Sequence, residues 1–264
     1  MKSYSELIDA HEDENCFILG AGTSLFKIMK HKDYQKVFDN NVNITINASI
    51  LATEWEEGNP DKRYWTSNDV ACMHWTYWEK VLESNCKKLI RDSWKDRHDD
   101  LKDYEEFFYE FSPRSGWENA PTTINELLYG EGIDEPATDE EKDNAIKENE
   151  IGLCSISSIP SAIDFAIQAG CKKIFLLGVD HYMVGRLSHF WEYLPKNKQP
   201  VVMPGGFRAT HKMQSAMFEE NMKTYTSLDR FAKKRGSEIF LCNPKSRVNC
   251  FNKIEFNDAI EMIK

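Results

Sequence analysis

The chain has 264 residues, 41% of them hydrophobic, and a formal net charge of −10. This length and apolar content supply a proper core for one large or two small domains. The acidic balance excludes a broad cationic face for duplex DNA or RNA, so no nucleic-acid partner is expected. Much of the charge is local, because residues 131–150 hold nine carboxylates against two lysines. That run reads as a solvated loop or lid.

Residues 16–19 are largely apolar and read as a buried strand. Gly20-Ala21-Gly22 then makes a sharp turn, and Thr23 or Ser24 is placed to cap a helix through Leu25, Phe26, Ile28 and Met29. A helix N-terminus behind a glycine turn carries partial positive charge and bare N–H donors, which suits a phosphate. Leu25 stands after Gly20 and Gly22 where the dinucleotide fingerprint would have its third glycine, and no Gly-Lys-Ser/Thr P-loop occurs. The turn therefore reads equally as a phosphate site or as a plain strand-to-helix connection.

Further strand-like runs follow at residues 42–47, 63–66, 88–91, 173–177 and 238–242. The last two are short, β-rich and apolar, as central parallel strands are. Helical spacing lies between them. Ile159, Ile163, Ala166 and Ile167 mark one face, with Ser157 or Ser158 as cap, Pro160 in the first turn and Gly170 closing it. A longer helix spans about residues 210–235, with Tyr225, Leu228, Phe231 and Ala232 inward and Gly236 ending it. Strand and helix alternating in this way specify an α/β fold: a Rossmann-like, doubly wound, mostly parallel sheet with helices on both faces.

One domain is expected over residues 1–264, interrupted twice. Residues 112–150 are polar and acidic and read as an insertion. Residues 183–208 carry three prolines and Gly205-Gly206 and read as a lid-like loop. The seven cysteines show no Cys-x-x-Cys spacing and read as reduced, mostly structural thiols. With no apolar signal core at the N-terminus and no membrane-length apolar run, a cytoplasmic protein is expected.

Parallel sheets bind ligands beyond the carboxyl ends of their strands. Those ends deliver Gly20, Ala21, Gly22, Thr23 and Ser24; Asn47; Asp69; Gly178, Asp180 and Tyr182; and Asn243 and Ser246. Asp180 reads as a turn-forming carboxylate, as a holder of a ribose or acceptor hydroxyl, or, with Asp69, as half of a two-carboxylate magnesium site, and Asp69 reads as a turn-forming or metal-binding carboxylate. His181, His189 and His211 have no zinc-ligand spacing, and a catalytic base suits them better. His211 stands at the start of the long helix, where the positive helix end favours neutral imidazole. Trp65, Trp75, Tyr77 and Trp78 read as core rather than as a base-stacking platform.

The ordered set resembles a known family. Ile18-Leu-Gly-Ala-Gly-Thr-Ser-Leu25 is similar to the opening "GxGPSL" of the bacterial sialyltransferases of glycosyltransferase family 42. It is similar also to a related domain-of-unknown-function group that includes archaeal 6-hydroxymethylpterin diphosphokinases. Ser157-Ser158, the helix after it and Lys173-Ile-Phe-Leu-Leu-Gly-Val-Asp-His-Tyr182 resemble the family's central block. Thr210-His211-Lys-Met resembles the segment holding the general-base histidine, and Leu241-Cys-Asn-Pro-Lys-Ser-Arg247 with Phe251 resembles the closing segment. The chain departs from the family pattern at Ala21, Thr23, Ser155 and Ile159, which stand in place of asparagine, proline, a basic residue and glycine.

The resemblance implies a nucleotide-sugar donor, CMP-linked in that family, and transfer of its sugar with inversion to a hydroxylated, glycan-like acceptor without a bound metal. Gly20, Ala21, Gly22, Thr23, Ser24, Asn47, Ser157, Ser158 and Gly178 would line the nucleotide, with Asn243 and Ser246 nearby. Tyr182 would sit by the leaving phosphate, with Asp180 beside it, and His211 would deprotonate the acceptor. Two alternatives stand beside this expectation. One is a magnesium-dependent phosphotransferase like the pterin diphosphokinases, with Asp69 and Asp180 at the metal. The other is a non-catalytic nucleotide-binding protein.

Overall fold

The computed structural model describes residues 4–53, 55, 59–90, 107–108, 157–204, 206 and 211–264. The acidic segment at 112–150 lies outside them. Eight strands are described: β1 (Asn15–Leu19), β2 (Val42–Ile46), β3 (Arg63–Thr66), β4 (Lys87–Leu89), β5 (Phe107–Phe108), β6 (Lys173–Leu177), β7 (Glu238–Leu241) and β8 (Asn252–Lys253). They form one sheet in the order β5-β4-β3-β2-β1-β6-β7-β8, with every neighbouring pair parallel. Five α-helices accompany them: α1 (Ser24–Ile28), α2 (Tyr77–Glu83), α3 (Ser158–Gln168), α4 (His211–Lys234) and α5 (Phe256–Met262).

All six strands expected from the apolar runs are present. The central ones are apolar throughout because both sheet faces are covered, and from Cys16 to Leu19 and from Ile174 to Leu177 each residue is fully buried. Phe17, Phe175 and Phe240 sit side by side across β1, β6 and β7. Their rings stack with centroids 4.9 and 5.4 Å apart. Trp65 and Tyr77 are buried in the same core, as expected, and Trp75 and Trp78 pack against it. The strands β5 and β8, each two residues long, carry too short a pattern to be read from the sequence.

The chain builds outward from β1 in one direction through β2 to β5, then returns to place β6 on the other side of β1. Right-handed crossovers put the connections of these two halves on opposite faces. The carboxyl ends of β1 and β6 therefore form the switch point where open parallel sheets hold their ligands.

Of the 183–208 segment, residues 183–204 are more tightly built than their composition suggests. Phe190 is fully buried and Trp191 nearly so, both within the main core. Phe190 N–H donates to Ala21 O at 2.9 Å, and Tyr193 stacks on Phe26 of α1 at 5.0 Å. Farther along, Thr76 N–H donates to Val201 O at 3.0 Å and Met203 N–H to His74 O at 2.6 Å. The strap thus binds the β1 turn at one end and the approach to α2 at the other.

Cys16, Cys72, Cys86, Cys171, Cys242 and Cys250 are free thiols. Burial pushes the Cys16, Cys72 and Cys242 thiols well above their ordinary range, so they stay protonated. Among the described residues no helix is long and apolar enough to cross a membrane.

Candidate functional site

The two turns at the switch point fit against each other at backbone distance. Gly20 N–H donates to Leu177 O at 2.7 Å and Gly22 N–H to Gly178 O at 2.8 Å. A Cβ on Gly22 would lie 2.5 Å from Gly178 O and 2.6 Å from Asp180 Oδ2, so only glycine allows this approach. Gly178 itself has φ +67, and a Cβ there would meet Gly20 O at 2.7 Å. These glycines serve turn-to-turn packing first.

Asp180, 2% exposed, is the centre of the arrangement. Its Oδ2 accepts from Ser24 N–H at 2.7 Å and from Thr23 Oγ1 at 3.1 Å. Its Oδ1 accepts from Ser24 Oγ at 2.5 Å and from Asn243 Nδ2 at 2.7 Å. The expected cap of α1 by Thr23 or Ser24 is therefore corrected. Thr23 occupies the N-cap position without a side-chain cap bond, and the carboxylate that takes the helix N-terminus comes from β6. Asp180 neither turns back on its own backbone nor offers an unshared oxygen to the cavity beside it.

That cavity, about 480 Å³, is lined by Ala21 and Gly22 after β1, Ser157 and Ile159 at the start of α3, and residues 178–183 after β6. Ser188 and His189 from the strap, Phe218 and Asn221 of α4, and Arg247 complete it. Among the described residues the Ala21 N–H has no partner, while the Ser24 N–H is taken by Asp180. Tyr182 Oη accepts from Asn243 Nδ2 at 3.2 Å, which leaves its own hydrogen to donate.

His181 lines the cavity in a left-handed conformation (φ 52), and its Nε2 lies 2.9 Å from Tyr225 Oη. Burial lowers its pKa to about 4 against the attraction of Asp180, and nearby Arg247 lowers it further, so the ring is neutral near pH 7. Burial pushes the Tyr225 hydroxyl up, so it keeps its proton. His189 lies in the same cavity wall, with Nδ1 2.8 Å from Ser188 Oγ and its ring stacked 5.1 Å from Trp191.

The other expected site residues fall into distinct places. Ser158 Oγ accepts from Asn68 N–H at 2.8 Å, a link between α3 and the end of β3. Ser157 is the N-cap of α3 without a side-chain cap bond. Asn243 and Ser246 stand behind the cavity: the first bridges Asp180 and Tyr182, and the second donates to Val179 O at 2.7 Å. Asn47 has φ 52 and lies outside the cavity lining. Its Oδ1 is buried without a partner among the described residues. Asp69 caps the following 3-10 turn, accepting from Ala71 N–H at 2.9 Å. Among the described residues no cluster of three or more His, Cys, Asp or Glu side chains is placed to hold a metal ion. His211 is the first residue of α4, as expected, and its side chain lies outside the described residues.

Phe218, Asn221 and Arg247 were not singled out from the sequence. A signal was present: Phe218, Asn221, Tyr225 and Leu228 follow helical spacing along one face, and Asn221 is the amide that interrupts it. Arg247 directly follows Ser246 at the end of the last long strand's loop.

The fold and cavity define a doubly wound α/β protein with a crevice at its switch point. Among solved structures the chain is similar to the monofunctional alpha-2,3-sialyltransferase Cst-I from Campylobacter jejuni. Identity is 17%, with 90% of this chain and 79% of that one covered and a TM-score of 0.47. It is similar also to the sialyltransferase CstII from Campylobacter jejuni in complex with cytidine-5'-monophosphate, at 17% identity, 93% and 86% coverage and TM-score 0.47. A third is CstII in complex with CMP-3FNeuAc, at 16% identity, 92% and 87% coverage and TM-score 0.48. No protein-family model and no curated protein sequence matches the chain. The likeness to 6-hydroxymethylpterin diphosphokinases finds no support in these comparisons.

Proposed function

We propose that this protein is a nucleotide-sugar-dependent glycosyltransferase, sialyltransferase-like, that moves a sugar from a CMP-linked donor to a hydroxyl of a glycan-like acceptor. The observation that carries the reading is the cavity between the β1 and β6 turns. It combines a bare Ala21 N–H, the Tyr182 hydroxyl and a wall from α4, the helix that His211 begins. The donor and the reaction are taken from the sequence resemblance.

In this reading the acceptor hydroxyl gives its proton to the His211 imidazole as its oxygen bonds to the anomeric carbon. The bond from that carbon to the phosphate oxygen breaks, and its electron pair leaves with CMP. Tyr182 O–H donates to the departing phosphate. The residues from Gly20 to Ser24 hold the nucleotide through the Ala21 side of the turn, because Asp180 already engages Ser24.

The magnesium-dependent alternative has less to stand on, since Asp69 caps a turn and the Asp180 oxygens are shared among four donors. A thermal-shift screen of CMP, UDP, GDP and ATP, each with and without magnesium, separates the readings. Stabilisation by CMP irrespective of magnesium is expected. Magnesium-dependent stabilisation by ATP would replace this reading with the phosphotransferase. Transfer from CMP-sialic acid that survives His211→Ala would remove His211 as the base, and CMP binding without any transfer would favour the non-catalytic alternative.

A further inference from the structure

One wall of the cavity carries polar groups that the fold itself leaves unmatched. The Asn221 side chain, on α4, is 2% exposed, and its Oδ1 has no hydrogen-bond partner among the described residues. A buried acceptor left without a partner is destabilising unless a donor from elsewhere meets it. The Arg247 guanidinium lies 4.3 Å over the Phe218 ring, and among the described residues no carboxylate pairs with it. The Phe218 ring in turn lies 5.2 Å from that of His181 at a tilt of 50°, so Arg247, Phe218 and His181 adjoin one another at the cavity.

The backbone fixes this group to the turn after β6. Arg247 N–H donates to Asp180 O at 3.0 Å, and Ser246 Oγ donates to Val179 O at 2.7 Å. The tautomer of His181 follows from its partner. Among the described residues His181 Nε2 is the one side-chain partner of the buried Tyr225 hydroxyl, at 2.9 Å, and only a hydrogen given to that nitrogen leaves the Tyr225 donor satisfied. Nε2 then accepts, and the ring proton sits on Nδ1 as a donor. The nearest carboxylate, Asp180, is covered by its own four donors. The wall thus offers a cation and an N–H donor to an anion, and the Asn221 Oδ1 as an acceptor for a neighbouring donor group of the ligand.

We propose that Arg247 and His181 form an oxyanion subsite, with Asn221 beside it. Arg247 and His181 Nδ1–H grip a phosphate or carboxylate of the bound ligand, and the Asn221 Oδ1 accepts from a neighbouring hydroxyl or N–H of that ligand. Guanidinium groups suit both oxyanions, and their charge-assisted bonds are about twice as strong as neutral ones. The inference rests on the nucleotide-sugar reading for the identity of the ligand, though its chemistry does not require that reading. The phosphate would come from the nucleotide, and the carboxylate from an acidic sugar.

The test is calorimetric titration of the full chain and of Arg247→Gln, Arg247→Lys and Asn221→Asp. The probes are inorganic phosphate, CMP, cytidine, N-acetylneuraminic acid and its methyl ester. Arg247→Gln is expected to weaken anion binding about tenfold while cytidine and the methyl ester change little, with Arg247→Lys recovering part of the loss. Asn221→Asp, which brings a carboxylate into the subsite, is expected to weaken the same anions. Loss confined to phosphate and CMP assigns a phosphate, and loss confined to N-acetylneuraminic acid assigns a carboxylate. If phosphate binding falls in Arg247→Gln but neither CMP nor cytidine binds any form, the subsite stands and the cytidine-nucleotide reading fails. If CMP binds all four forms equally, the subsite fails and that reading stands. Absence of anion binding to the unaltered chain also overturns the subsite.

Discussion

Ser24 and Asp180, 156 positions apart, are joined twice: the Ser24 N–H donates to Oδ2 at 2.7 Å and its hydroxyl to Oδ1 at 2.5 Å. A carboxylate from the end of β6 thereby caps the helix that follows β1, and the two halves of the doubly wound sheet are locked at their switch point. The same carboxylate reaches Asn243 after β7, so three strand ends share one anion.

Replacing that anion tests the lock. Asp180→Asn keeps the shape but turns one acceptor into a donor among donors. A loss of about 2–4 kcal/mol is expected, because buried hydrogen bonds to a charged group are lost and a donor is left unmatched. Urea denaturation reads it directly, and an unchanged midpoint would show that the bonds contribute little.

Gly22→Ala introduces a methyl 2.5 Å from Gly178 O and 2.6 Å from Asp180 Oδ2. One of the two turns must move. Destabilisation of about 1–3 kcal/mol is expected, as for overpacked sites elsewhere, together with weaker ligand binding. A variant with wild-type melting temperature and wild-type ligand affinity would contradict the close approach.

The strap across 183–208 is expected to behave as core. Phe190→Ala removes a fully buried ring, and a loss of about 3–5 kcal/mol is expected. A free-standing lid would tolerate the change within about 0.5 kcal/mol, the usual range for surface substitutions. Denaturation midpoints distinguish the two.

His181 gives stability a pH dependence of definite sign. Its folded pKa of about 4 lies below its ordinary value of 6.5, because burial disfavours the charged ring. The unfolded chain therefore binds more protons between these values, and stability is lost as pH falls from 6.5 towards 4. The full window amounts to about 3 kcal/mol. His11, whose pKa is also lowered by burial, acts in the same direction, so the decisive quantity is the difference between the unaltered chain and His181→Gln. The variant should lose less stability between pH 7 and pH 4.5, and parallel pH curves would assign the effect elsewhere.

The sheet was legible because central parallel strands are continuous apolar runs, as at Ile174 to Leu177, and α4 was legible from the helical spacing of Tyr225, Leu228, Phe231 and Ala232. Its crevice was legible too, because small and polar residues collect after Leu19 and Leu177. The capping of α1 was not, since Ser24 and Asp180 meet only when β1 pairs with β6. Phe190 and Trp191 were masked by the prolines and glycines around them, although their buried rings belong to the core. Asn221 and Arg247 were not legible as cavity residues, because an amide on a helix and an arginine in a loop take on meaning only once the cavity brings them together.

The most direct measurement of the central claim is titration of CMP into the full chain and into Tyr182→Phe. Saturable binding of one CMP per chain, without magnesium, is expected, and about tenfold weaker binding when the Tyr182 hydroxyl is removed. Absence of CMP binding, or equal affinity in both proteins, would contradict it.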